Sequence, residues 1–255
     1  MVDRINDERI ISESIQLTQK SEAVEDEIMG FKTVSYNELL RELLDALHTY
    51  HRPTYLHSAD VSKLASVIAE RLKLPNSIIR AISVGGFLHD IGKLWVPLET
   101  LASDKDFKKE SVERYEVDQH PVKGVILIDN LDMPDIIHDC IYFHHENYDG
   151  SGYPERKAGR DIPLAARIVC IADKIRAMRE DRPYSPSIAM EKVAAELVSI
   201  RGRLCDPYIV DACLGLYDEG LLEPSVTYMQ PDAYKTTTEY SWWMPIKHAV
   251  TGKRF

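Results

Sequence analysis

Nine histidines are spread through this 255-residue chain, and six of them fall between positions 57 and 145. Imidazole binds transition metals and moves protons near neutral pH, so its neighbours decide what it can do. His89 and Asp90 end the apolar run through Phe87 and Leu88, and Lys93 stands four residues after His89, the spacing of one helix face. His144-His145 closes a second apolar segment. Asp173 lies in a third, behind Ile168, Val169, Ile171 and Ala172. A carboxylate amid that much apolar sequence is costly to bury unless a partner or an ion meets it. Each feature also has a modest reading. His89-Asp90 can be a surface or capping pair, and His120-Pro121 a helix start. His144-His145 can be a helix end with imidazoles at the negative dipole pole, and Asp173 can pair with Arg176 or Arg167. One mixed imidazole–carboxylate metal centre explains all four together. Such donors suit iron, manganese or zinc better than magnesium or calcium, which prefer oxygen shells.

The elements that must position these residues read as helices almost throughout. Ser35 and Glu38 form a capping box ahead of Leu39, Leu40, Leu43, Leu44 and Leu47, which predicts a helix over 36–50, ended before Pro53. Helical faces follow at Val61, Leu64, Ala65, Ile68 and Leu72, and again at Ile78, Ile79, Ile82, Phe87 and Leu88. Later faces comprise Ile136, Ile137, Cys140 and Ile141, then Leu164, Ile168, Ile171, Ala172 and Ile175. Pro75, Pro121, Pro134, Pro163 and Pro207 sit where helices should begin, where a missing N–H does least harm. Strand-like alternation is almost absent, so the expected fold is an all-α bundle. Residues 1–50 read as an N-terminal helical arm, acidic over 1–33. Residues 224–255 read as an irregular or hairpin tail whose Trp242 and Trp243 pack on the bundle.

Acidic residues outnumber basic ones by 41 to 31, and the net charge of −10 argues against nonspecific binding to DNA, RNA or an anionic membrane. No apolar run approaches the roughly 20 residues that span a bilayer. Cys140, Cys170, Cys205 and Cys213 show no CxxC spacing and read as reduced core residues of a cytoplasmic protein.

Taken in order, His57-Ser58, His89-Asp90-Ile91-Gly92-Lys93, His120-Pro121, His144-His145-Glu146, Asp149-Gly150-Ser151-Gly152-Tyr153-Pro154, Ile162-Pro163, Ala172-Asp173 and Asp181-Arg182-Pro183-Tyr184 form a string. That string resembles the HD-GYP family, bacterial phosphodiesterases within the HD superfamily of metal-dependent phosphohydrolases. Any one motif is weak, but the ordered set covers about residues 50 to 215 and is specific.

The resemblance implies an HD-type bundle over 51–223 that hydrolyses cyclic di-GMP to pGpG or GMP. Its divalent metals would be iron or manganese, with zinc, nickel and cobalt as further candidates. His57, His89, Asp90 and Asp173 would hold one ion. Asp90, His120, His144 and His145 would hold the second, so that Asp90 bridges and takes part in catalysis. Lys93 would face the scissile phosphate, Gly152, Tyr153 and Pro154 would form the loop beside the substrate, and Arg182 would contact the dinucleotide. Some members carry a glutamate four positions before the first histidine that helps to hold a third ion. Pro53 stands there in this chain, so two ions are expected, with pGpG favoured over GMP. Ser185 replaces a frequent basic residue, Arg176 a frequent acid, and Asn147 and Tyr148 a frequent basic residue and Trp. With no receiver or sensor domain legible, regulation is expected through residues 1–50, the tail or a partner. Two other readings remain open. One is a catalytically idle relative that senses the dinucleotide or docks on diguanylate cyclases and other signalling proteins; a homodimer is a separate possibility under any reading. The other is a phosphodiesterase for a cyclic GMP–AMP dinucleotide.

Overall fold

The computed structural model describes residues 33–103, 107–108, 111–131, 133–180 and 187–222, the side chains of 33–39 and 130 excepted. The first 32 residues, Arg182 with Ser185, and the tail over 224–255 therefore lie outside the described residues. So do the expectations that fell on them.

Ten α-helices are described: α1 (Thr33–Tyr50), α2 (Arg52–Arg71), α3 (Asn76–Leu88), α4 (Leu98–Leu101), α5 (Val112–Asp118), α6 (His120–Ile128), α7 (Asp135–Phe143), α8 (Leu164–Arg179), α9 (Met190–Ile200) and α10 (Pro207–Asp218). A 3-10 turn over Ile91–Trp95 links α3 to α4. Among the described residues there is no sheet, and one isolated bridge joins Arg201 to Cys205. The prolines act as the spacing predicts. Pro75, Pro134 and Pro163 cap α3, α7 and α8, and Pro121 and Pro207 lie in the first turns of α6 and α10.

The bundle is organised around α8. Leu164, Ala165, Ile168, Val169, Cys170, Ile171, Ala172 and Ile175 are all buried, so this helix is apolar on nearly every side, as a central helix must be. Helices α2, α3 and α7 pack around it. Helix α1 lies on α2 and buries Leu40, Leu44 and Leu47 in the same core, so the division expected at residue 50 runs between two helices that share one interior. All four cysteines are buried thiols, three of them on helices α7, α8 and α10.

One charged pair ties this core to the outer helices. Arg167 on α8 and Asp206 before α10 are each 7% exposed, and Arg167 Nη1 donates to Asp206 Oδ2 at 2.5 Å. Arg167 also donates through Nε to Ile162 O, and Asp206 caps α10 by accepting from Tyr208 N. Removing one member of such a pair strands the other as an uncompensated buried charge. Asp206→Ala should therefore cost about 3–5 kcal/mol in urea unfolding. Asp211→Ala, which breaks the exposed pair to Arg201, should cost at most about 1 kcal/mol. Equal losses in the two variants would contradict this reading of the core.

Candidate metal centre

Helix ends build the site. His89 caps the C-terminus of α3, His144 caps the C-terminus of α7, and His120 opens α6 directly after α5. Carbonyls in the last turn of a helix lack intrahelical partners. Each histidine finds one three residues back: Nδ1 of His89 donates to Gly86 O at 2.7 Å, Nδ1 of His120 to Val117 O at 2.7 Å, and Nδ1 of His144 to Ile141 O at 2.8 Å. A carbonyl can only accept, so Nδ1 carries the proton in all three rings. Nε2 is left as the nitrogen that faces the interior.

That arrangement sets donors against each other. Nε2 of His120 lies 3.0 Å from Nε2 of His144 and 3.2 Å from Asp90 Oδ1. Burial, only partly offset by the charge of Asp90, pulls the His120 pKa down to about 4. Burial, reinforced by His89 and His120, pulls His144 well below the usual histidine range. Both rings are therefore neutral near pH 7, and neither Nε2 has a proton to offer. Two buried lone pairs at this separation repel, and a cation between them removes the conflict. The residues present thus fit a metal ion.

Two donor groups converge. His57, His89 and Asp90 bring their ligand atoms within 4.8 Å of one another, and His120, His144 and His145 do the same. Asp90, 2% exposed, stands between the groups: Oδ2 lies 3.4 Å from His89 Nε2, while Oδ1 faces His120. Burial alone would raise its pKa, but Lys93 and then His89 hold it well below the ordinary carboxylate range. Asp173 is drawn in through His57, whose Nε2 lies 2.9 Å from Asp173 Oδ1. All seven residues of the expected ligand set therefore meet in one place.

The two modest partners considered for Asp173 are engaged elsewhere. Arg167 pairs with Asp206, and Arg176 pairs with Asp60 on α2. His57 is instead flanked by two carboxylates from α8 and its C-terminus, Asp173 at Nε2 and Glu180 at Nδ1, the latter at 2.5 Å. Burial would lower the pKa of His57, but the hydrogen bonds and charges of Asp173 and Glu180 together raise it to about 9.

Lys93 departs from the expected geometry. The four-residue spacing placed it on the helix face of His89, but α3 stops at Leu88 and the chain tightens into the 3-10 turn. Lys93 Nζ instead donates to Asp90 Oδ2, three residues back, at 2.6 Å. Gly92 makes the turn possible: a Cβ there would lie 2.0 Å from His120 O and 2.5 Å from Gly124 N. The loop over 146–154 closes the other side. A Cβ at Gly152 would sit 2.3 Å from Asn147 N and 2.4 Å from His145 O, so only glycine lets the loop fold back. Tyr153 N donates to His145 O, and the Tyr153 ring stacks on His145 with centroids 4.8 Å apart. The Tyr153–Pro154 peptide is cis.

Two residues of the site carried no role at the sequence level. Glu146 is buried, and its Oε1 accepts from Glu155 N at 2.7 Å, pinning the loop. Glu180 was signalled only by its spacing, seven residues or two helical turns after Asp173.

The HD domain family model matches residues 37–209. The chain is similar to a cyclic di-GMP phosphodiesterase response regulator of Xanthomonas campestris, 34% identical over 215 residues, 80% of this chain and 56% of the relative. It is also similar to a cyclic di-GMP phosphodiesterase of Pseudomonas aeruginosa, 32% identical over 216 residues, 83% of this chain and 51% of the relative. The chain thus spans about half the length of the curated relatives it matches. Among solved structures, a cyclic GMP–AMP-specific phosphodiesterase of Vibrio cholerae superposes with a TM-score of 0.56 at 16% identity. The match covers 84% of this chain and 60% of that one, a likeness of fold.

The clamp on His57 and the burial of His120 are measurable apart from any activity. In chelator-treated protein, histidine NMR should give a midpoint of about 9 for His57 and about 4 for His120. Two midpoints close to the ordinary value of about 6.5 would contradict the described geometry.

Proposed function

This chain belongs to the HD domain family, and from that premise we propose that it is a metal-dependent phosphodiesterase of the HD-GYP type, hydrolysing cyclic di-GMP at a binuclear centre. The observation that carries the proposal is the position of Asp90, with one carboxylate oxygen toward His89 and the other toward His120. On this reading His57, His89, Asp90 and Asp173 hold one divalent ion, and Asp90, His120, His144 and His145 hold the other. Iron, manganese and zinc suit these mixed imidazole–carboxylate donors, and the family resemblance favours iron or manganese.

Two such ions, when bound, would supply a solvent molecule acidified toward neutrality and positive charge for an anionic phosphodiester. The chain's own residues do the rest. The backbone carbonyls behind His89, His120 and His144 hold each of these three rings in the tautomer that leaves Nε2 open to a metal ion. Lys93, 22% exposed beside Asp90, sits at the rim where its ammonium can meet phosphoryl oxygens as their charge grows. Gly152, Tyr153 and Pro154 form a wall that steadies His145 and borders the substrate. Arg182 offers a planar fork suited to phosphate or a guanine edge. Pro53 lies exposed in the first turn of α2 and has no donor atom, which supports two ions rather than three.

Turnover of cyclic di-GMP by manganese- or iron-replete protein, resolved by chromatography of pGpG and GMP, tests the reading. Cyclic GMP–AMP run in parallel tests base selectivity. Asp90→Ala should abolish turnover and lower the content of both ions, whereas His145→Ala should deplete one. Full turnover by a metal-free, monodisperse preparation would overturn the proposal.

Arg182→Ala should raise KM or abolish binding while leaving metal content unchanged, and Ser185→Arg should tighten binding by about 1 kcal/mol as a partly exposed phosphate contact. Unchanged binding in both variants would place the dinucleotide elsewhere and favour a sensing or docking role.

A further inference from the structure

We infer that Glu180 is a positioning residue for His57: it accepts the Nδ1 proton and so reserves Nε2 for a metal ion. The inference rests on the binuclear reading above and adds a residue to it.

The argument starts from where each histidine sits. His89, His120 and His144 lie at helix ends, where a last-turn carbonyl three residues back fixes the ring. His57 has no such resource. It lies inside α2, where the carbonyls one turn back already serve the helix ladder. Its Nδ1 needs an acceptor from another element, and Glu180 Oε1 is there at 2.5 Å.

The placement of Glu180 follows from α8. Asp173 and Glu180 are two turns apart and share a helix face. Glu180 is the C-cap of α8, where the backbone turns to the extended conformation, and its longer side chain reaches His57 from the helix end. Both carboxylates therefore reach one imidazole, each at a different nitrogen. Their roles diverge by length and place. Asp173 meets the nitrogen that would bind metal, whereas Glu180 occupies the opposite ring nitrogen. A carboxylate at that position orients the ring and raises its basicity as a ligand more than a carbonyl does. The backbone of Glu180 caps α8 by donating to Arg176 O, so the helix end itself holds the carboxylate in register.

Manganese titrations of the wild-type chain, Glu180→Ala and Glu180→Gln test this, with thermal melts of the metal-free proteins alongside. Wild type should bind two ions. Glu180→Ala should weaken one of them by about 10- to 100-fold and leave the other unchanged. Glu180→Gln keeps an uncharged acceptor for Nδ1 and should recover most of that loss. If Glu180→Ala binds both ions as wild type does, the inference is overturned while the binuclear reading stands. If Glu180→Gln is as weak as Glu180→Ala and both melt lower by the same amount, Glu180 serves packing or charge rather than ring orientation, and the inference is again overturned. A wild-type chain without tightly bound manganese would bring down the binuclear reading, and the role of Glu180 with it.

Discussion

Buried acceptors facing one another are the constraint on which the rest of the molecule depends. His89, Asp90, His120 and His144 are each at most 2% exposed, and they meet in the interior of an apolar bundle. Water cannot screen them there, and the neutral rings of His120 and His144 have no proton with which to bridge their 3.0 Å separation. Assembling such a cluster works against folding, because desolvating it is costly without compensation. Divalent cations would compensate it, and on the proposed reading would also bring the charge that a phosphodiester requires.

The fold is arranged to keep the cluster rigid. Three of its imidazoles are fixed by carbonyls in the last turns of helices, so the same chain endings that stop α3, α5 and α7 also set the histidine tautomers. A fourth, His57, is fixed by a carboxylate at the end of the central helix. Helix α8, apolar on nearly every side, holds Asp173 deep enough to reach that ring, and the buried Arg167–Asp206 pair ties α8 to the start of α10. The loop over 146–154 closes the remaining side by pressing Tyr153 against His145.

Much of this was legible in the sequence because the signals were local or ordered. The prolines marked helix starts, the 3.6-residue periodicity marked buried faces, and the ordered His and Asp motifs named the residues that meet. What stayed hidden depended on three-dimensional closeness. Lys93 pairs with Asp90 because the chain leaves the helix for a 3-10 turn, which the four-residue spacing from His89 did not convey. Asp60 and Arg176 find each other across α2 and α8, although their separation of 116 residues carries no pattern. Glu180 belongs to the site through its reach and the termination of α8, neither of which is a feature of composition.

The position of Asp90 can be examined without substrate. A crystal grown with manganese and measured at a wavelength sensitive to that metal should give two anomalous peaks flanking the Asp90 carboxylate. One peak should lie among His57, His89 and Asp173, the other among His120, His144 and His145. A single peak, or none, would show that Asp90 joins no pair of ions and that the buried donors are reconciled in some other way.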